Sequence, residues 1–491
     1  MTCFCSSSSC LRLLWFLWPL LAAAAVVVFV RPPAPIFSYK SGDYLQEYMR
    51  TRFFNWFLLK NESYKFGDDR EVKNIEQVQD YNDIYQNDTR PRNSSERQKN
   101  YTNLELVEVE LVQARAAIRD AKTSNETLTK DPDYVPSGPM YWDPKLFHAS
   151  YLEMEKRLKV YVYEEGEPPV FHLGPCKHTY AIEGIFMSAI EQSRFRTYDP
   201  NRANLFFLPL SVTMLTQVVY EPNSHEWSLM KNTASDYVDV IARKHTYWNR
   251  SLGADHFMLA CHDWGPEISF AVPNLHTNAI RALCNANKSE RFSPARDVPI
   301  PEIHLPDGTT RGMLGGPPPS QRPVLVFYAG GVHGPIRPVL LQHWENRSDP
   351  EIQIHRYLPR NVSYADMMRK SRFCLCPSGY EVASPRMVEG LYSGCVPVLI
   401  KDGYVIPFSD VLDWKTFAVI VQVWDIPNLK RILMGITMRD YVRMQRRGIQ
   451  MRRHFEVNTP AKRYDVFHMI MHSIWLRRLN VRLTKGGGSG S

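Results

Sequence analysis

The sequence predicts an α/β protein of two lobes, each built on a parallel, Rossmann-like sheet. Three observations carry this. The 491 residues exceed what one hydrophobic core ordinarily holds, so two globular domains with accessory segments are the natural division. From about Tyr141 onward, short apolar strands alternate with helical stretches, the pattern of β-α-β units. The stretch Pro299 to Arg322, with its Pro306-Asp307-Gly308 turn and the run Gly315-Gly-Pro-Pro-Pro319, then reads as a linker between two such regions.

In the first lobe, residues 141–310, Leu158-Lys-Val-Tyr-Val-Tyr163 alternates as a half-buried strand does. Leu205-Phe-Phe-Leu-Pro-Leu210 and His256-Phe-Met-Leu-Ala260 read as buried strands. Val324-Leu-Val-Phe-Tyr328 opens the second lobe, residues 320–445, and Val396-Pro-Val-Leu-Ile400 is a further apolar strand within it. Residues 446–485 are helical in tone, and the closing Gly486-Gly-Gly-Ser-Gly-Ser491 is a linker-like tail.

The N-terminal part is different in kind. A tail of residues 1–12 precedes Leu13 to Val30, eighteen residues without a charge, just enough to cross a hydrocarbon core of ~30 Å. The apolar run continues past the small residues Ala22 to Ala25 with no polar cleavage region, so an uncleaved anchor is expected rather than a signal peptide. Arg12 and Arg31 flank it evenly and mark no orientation. The N-x-[ST] triplets at Asn61, Asn87, Asn93, Asn100, Asn125, Asn249, Asn287, Asn346 and Asn361 read as glycosylation sites and set the chain in a lumen. Residues 31–140 form the stem, polar and aperiodic at first. Leu104, Val107, Leu111, Ala114, Ile118 and Ala121 then follow 3-4 spacing, which predicts an amphipathic helix at about 102–122 packed on the body.

Nine cysteines divide at the anchor. Cys3, Cys5 and Cys10 precede it; Cys176, Cys261, Cys284, Cys374, Cys376 and Cys395 would face an oxidising compartment, with Cys261 to Cys284 the favoured pair among fifteen arrangements. Cys374-x-Cys376 lacks a second pair at zinc spacing, so no metal site is expected. The net charge of +8 is concentrated between Lys430 and Lys485, where fourteen Lys or Arg face three Asp or Glu. In a lumen, nucleic acid is not the expected partner; an acidic polysaccharide or an anionic membrane surface fits, as does a set of solvated helix faces.

Two segments can carry chemistry. Val324 to Tyr328 runs into Ala329-Gly330-Gly331-Val332-His333-Gly334, a strand entering a glycine-rich turn of the kind that lets backbone N–H groups approach a phosphate; a plain hairpin turn is the other reading. Arg337 follows. In the loop after Cys374-Leu-Cys-Pro-Ser-Gly-Tyr-Glu381, Ser384 is expected to cap a helix with Pro385 in its first position and Gly394 as its stop. Arg386 then lies in the first turn, where a helix N-terminus attracts anions. Glu389 shares its face and could accept from ribose hydroxyls, or the two could form a surface pair worth about 0.2–0.5 kcal/mol. Asp131-Pro-Asp133, an Asp-x-Asp triplet, lies at the stem boundary and reads as a turn rather than a metal ligand.

The run F-C-L-C-P-S-G-Y-E-V-A-S-P-R-M-V-E-G-L-Y-S-G-C-V-P-V-L-I from Phe373 to Ile400, extending to Trp414, resembles the signature of the exostosin-like glycosyltransferases and of their plant members in particular. Arg194 to Pro209 and Phe327 to Arg337 match as well, so the resemblance covers roughly Arg157 to Ile474. It implies a fold of the GT-B kind with a cleft between an acceptor lobe and a nucleotide-sugar lobe, inverting transfer, and no cofactor or metal beyond the sugar nucleotide itself. It also implies that the C-terminal helices cross back onto the first lobe.

On that resemblance, Arg337 and Arg386 neutralise the leaving diphosphate, with Gly330, Gly331, Ser384 and Glu389 completing the donor site. Inverting displacement further needs a base from the first lobe. Asp263 in Cys261-His-Asp-Trp-Gly265 and Glu183 in Tyr180-Ala-Ile-Glu183 are the candidates, each with a structural alternative; His262 is a third, and Trp264 could stack on a sugar. The implied setting is a single-pass type II Golgi membrane protein acting on a glycan acceptor, with homo- or hetero-oligomers compatible with it. Similarity to the xylogalacturonan xylosyltransferases would imply UDP-xylose and a pectic acceptor. A non-catalytic subunit of a Golgi complex is the competing reading, and loss of Arg337, Arg386 or Glu389 would have favoured it.

Overall fold

A computed structural model describes residues 102–123, 131 and 133–483. The expected anchor, most of the stem and the sequons at Asn61, Asn87, Asn93, Asn100 and Asn125 lie outside the described residues. The first sheet has the order β2-β1-β3-β4-β5-β6 and every pairing in it is parallel. Its strands are β1 (Val160–Val162), β2 (Arg196–Thr197), β3 (Leu205–Phe207), β4 (His256–Ala260), β5 (Ile280–Leu283) and β6 (Val298–Pro299). The second sheet, order β11-β10-β9-β7-β8, is likewise parallel. It comprises β7 (Val324–Ala329), β8 (Ile352–His355), β9 (Ser371–Pro377), β10 (Val396–Ile400) and β11 (Val419–Ile420). Helices cover both faces, so β3, β4, β7 and β10 are buried along their whole length. That is why these segments read as continuous apolar runs rather than alternating ones.

Six helices position the site or tie the lobes together: α1 (Asn103–Thr123), α2 (Pro144–Arg157), α3 (Ile182–Gln192), α4 (Arg386–Ser393), α5 (Met438–Met451) and α6 (Val466–Asn480). The stem helix α1 buries Val107, Leu111, Ala114 and Ile118, one stripe at 3-4 spacing, against α2. Arg115 also donates from Nε to the carbonyl of Leu479 at 2.7 Å. At the other end of the chain, α6 packs on α2, β5 and β6 of the first lobe. It is buried from Val466 to Leu479, which binds the two halves of the polypeptide into one body.

The structure corrects three expectations. Residues 299–305 are no loose linker: Ile303 bridges to Tyr180, Leu305 bridges to His178, and Glu302 is 6 % exposed. Part of the basic excess near the C-terminus is neither a ligand surface nor a set of solvated faces, while Arg431, Arg439, Arg443 and Arg446 do lie exposed on helices. Arg477 and Arg478 are 1 % and 0 % exposed, paired with Asp410 and Glu108. Arg463 holds Asp131 and Glu155 at 2.8 and 2.7 Å, and Arg453 stacks 3.6 Å from the Tyr134 ring centroid. Asp131 is therefore an ion-pair partner. Asn287, read as a sequon, is half-buried, its backbone bridges to Tyr404 and its side-chain amide donates to Glu290 Oε1 at 3.1 Å. Ser384 does not cap α4: no side chain bonds the first turn, and Ser384 Oγ instead accepts from Arg386 Nη1 at 3.4 Å. The helix does stop at Gly394, whose φ of 68° suits glycine.

Candidate active site between the two lobes

The carboxyl ends of β7 and β9 carry two glycine loops that face one another, and each makes room for an arginine. A Cβ on Gly330 would lie 2.7 Å from Arg386 Nη2, and one on Gly379 would lie 2.9 Å from Arg337 Nη2. The loops themselves nearly touch. A Cβ on Gly334, whose φ is +66°, would sit 1.7 Å from the Gly379 carbonyl, so no other residue fits.

Arg386, in the first turn of α4, donates from Nη2 to the Ala329 carbonyl at 3.1 Å and lies 5.3 Å from the Tyr328 ring centroid. Among the described residues neither Arg386 nor Arg337 has a carboxylate at ion-pair distance. The Nε of each, and the Tyr328 hydroxyl beside them, are buried without a hydrogen-bond partner. Burial, with Arg386 adding to it, holds the Arg337 guanidinium below its ordinary value. Cations left this way are underused in the protein itself; buried charge of this kind is normally paired. Glu389 accepts from Tyr364 Oη at 3.0 Å, and burial pushes its pKa up against the opposing pull of Arg386.

The first lobe answers from the carboxyl end of β4. The Cys261–Cys284 disulfide joins the ends of β4 and β5 and fixes the loop that comes after β4. Asp263 on that loop is half-buried; desolvation raises its pKa to about 6, with a Tyr180 hydrogen bond opposing and Glu290 assisting. His262 beside it is pushed down to about 4 by burial, and its Nδ1 accepts from Trp264 N at 3.1 Å. Glu302 spans the gap. Burial, then the charge of Asp263, raise it to about 8, while Lys401 and Arg386 from the other lobe pull it down. Lys401 itself is lowered to about 8 by burial and donates to the Val382 carbonyl.

Glu183 belongs elsewhere. It is fully buried at the start of α3 and accepts four hydrogen bonds: from Ser211 Oγ at 2.6 Å, Thr213 N at 3.1 Å, Cys261 N at 2.8 Å and His262 N at 3.0 Å. Both oxygens are committed, so it fastens the β3 and β4 loops together and is not free to take a proton from a substrate. Gly331 and Ser384 flank the arginine pair without further polar contacts to it beyond that of Ser384. Sequence reasoning missed Gly379, Tyr328, Tyr364, Glu302, Lys401, Asn285 and Glu381. The Cys374–Cys395 disulfide was also not anticipated, and Cys376 is buried and free. No cluster of metal-ligating side chains occurs among the described residues.

Fold and site together define a two-lobed, parallel α/β protein in which two buried arginines without carboxylate partners among the described residues lie at the carboxyl ends of the second sheet's strands. The family model described as the exostosin GT47 domain matches residues 154–436. A protein named "Probable glycosyltransferase" from Arabidopsis thaliana is 63% identical over 78% of this chain and 73% of its own length. A second of the same name is 51% identical over 77% of this chain and 81% of its own. A "Probable glucuronoxylan glucuronosyltransferase", also from Arabidopsis thaliana, is 28% identical over 66% and 74%. The chain belongs to the exostosin GT47 family of glycosyltransferases and groups with its plant members.

Proposed function

We propose that the protein is an inverting transferase of the GT-B kind that moves a sugar from a UDP-sugar onto a cell-wall polysaccharide. The observation that carries this is the pair Arg337 and Arg386, two guanidinium groups with buried, unpartnered Nε atoms and, among the described residues, no carboxylate at ion-pair distance. A diphosphate supplies the missing acceptors. Arginine stays charged at every relevant pH, and its fork can grip two phosphate oxygens at once. Charge developing on the departing nucleotide is then met by cations already in place, so the reading includes catalysis without a divalent metal. Asp263 is the base, since its raised pKa lets it accept a proton near neutral pH while ionised. Glu389, on the same face of α4 as Arg386, accepts from the ribose. A pectic acceptor and UDP-xylose are the narrower form of the proposal, with a type II Golgi membrane setting.

The test is turnover of a panel of UDP-sugars by the luminal region, with and without EDTA, together with UDP calorimetry on Arg386→Ala. Loss of charged hydrogen bonds worth about 1.5–3 kcal/mol should weaken UDP roughly tenfold to hundredfold. Unchanged affinity would remove Arg386 from the donor site, and inactivation by EDTA would overturn the metal-free mechanism.

A further inference from the structure

At the seam between the lobes, one amide nitrogen serves three acceptors. Asn285 Nδ2, just beyond β5, lies 3.0 Å from the Asp263 carbonyl, 3.0 Å from Glu290 Oε2 and 2.7 Å from Glu381 Oε2. Asp263, Asn285 and Glu290 belong to the first lobe; Glu381 comes from the glycine loop of the second. The surrounding backbone is continuous across the same seam, with Lys288 N donating to the Gly403 carbonyl and Val405 N to the Ala286 carbonyl, both at 3.0 Å. Two carboxyl oxygens within hydrogen-bond reach of the same nitrogen are close neighbours of one another. An amide has two hydrogens for three acceptors, and the charge of one neighbouring carboxylate favours a proton on the other.

We infer that Glu290 and Glu381 share one proton across the cleft, and that this carboxyl pair, gripped by Asn285, is a positioning device that holds the donor-side loop against the loop bearing Asp263. The inference rests on the proposed transferase reading for its link to catalysis, though not for the existence of the shared proton. Burial first, then the charges of Glu290 and Asp263, push the Glu381 carboxyl above its ordinary range, while Asn285 pulls it back. The charged groups nearest the pair are Asp263 from the loop after β4, whose charge acts on Glu381, and Lys401 after β10, which donates to the carbonyl next to Glu381; Lys288 shares the Glu290 turn. Glu302 lies beyond Asp263. With the proton in place the two lobes are joined by a hydrogen-bonded acid–carboxylate pair carrying a single negative charge; without it, two like charges meet across the seam and push the loops apart.

The sign comes from linkage. A carboxyl raised in the folded state contributes stability that is present below its ordinary value and lost as pH rises toward its folded value. The wild-type melting temperature should therefore fall from the ordinary carboxylate range toward mildly alkaline pH. Glu381→Gln keeps a neutral hydrogen-bonding group at all pH values, and Glu290→Gln does the same from the other lobe. Expected are a flatter melting profile in both variants and, with the best UDP-sugar of the panel, retained turnover at alkaline pH where the wild type loses about tenfold per pH unit. Glu381→Ala should lower turnover with donor KM unchanged. Superimposable melting profiles for the wild type and both Gln variants would overturn the shared proton. Because melting needs no substrate, that result is separable from a failure to find any donor.

Discussion

Arg386 Nη2 donates to the Ala329 carbonyl at 3.1 Å, so the first turn of α4 is tied to the last residue of β7. The bond links the helix that follows one glycine loop to the strand that enters the other, and leaves the Arg386 Nε buried without a partner. Its seat depends on the missing side chain at Gly330, not on charge.

Gly330→Ala should therefore act like loss of the arginine. The added Cβ would stand 2.7 Å from both Arg386 Nη2 and Tyr328 Oη, so Arg386 must leave its place. Calorimetry is expected to show UDP affinity falling about tenfold or more, with little change in melting temperature. Gly331→Ala is the comparison. There the new atom would meet the exposed His333 ring at 2.9 Å and the Tyr357 hydroxyl at 3.9 Å but neither arginine, and affinity should fall less than in Gly330→Ala.

Asp263→Asn should retain UDP binding and lose transfer. In the wild type, the acid limb of turnover should rise with pH up to about 6, because the base must be ionised and desolvation has raised it to about 6; the alkaline fall expected from the Glu290–Glu381 pair lies above that limb. Fold stability moves the other way: a raised carboxyl stabilises below its ordinary value and ceases to do so as pH climbs through about 6. A pH-rate profile with no acid limb near 6 would take the role from Asp263.

Glu183→Ala should damage the fold. It strands four donors in the interior, Ser211 Oγ and the N–H groups of Thr213, Cys261 and His262, at a cost on the order of 3–5 kcal/mol. Glu183→Gln, which keeps acceptor capacity at one oxygen, should lose less. Denaturant midpoints measure this; a Gln variant of full stability but no turnover would restore Glu183 as a catalytic group.

What was legible in the sequence was what repeats or what is local. His256–Ala260 and Val396–Ile400 stand out as strands because burial on both faces makes them wholly apolar, and the observed strands have those bounds. Arg386 could be placed in a first turn because Pro385 and Gly394 bracket a single helix. Glu183 was misread because a carboxylate near a helix start looks solvated. Its neighbours Ile182, Gly184 and Phe186 were the available signal, since a lone charge in an apolar helix is buried and must be satisfied. Asn285, Glu302 and Glu381 sit on irregular loops, and their meeting depends on how two sheets face one another, which no periodicity records.

The return of α6 to the first lobe means that no single cut in the polypeptide yields both lobes whole. A fragment ending near residue 310 would leave uncovered the apolar surface that Phe467, Ile470, Ile474 and Trp475 now shield. A fragment starting near residue 320 would carry that helix with nothing to lie on. Expression designs, domain exchanges with relatives and proteolytic dissection must therefore treat residues 141–310 and 446–480 as one inseparable unit, with the nucleotide-side lobe inserted between them.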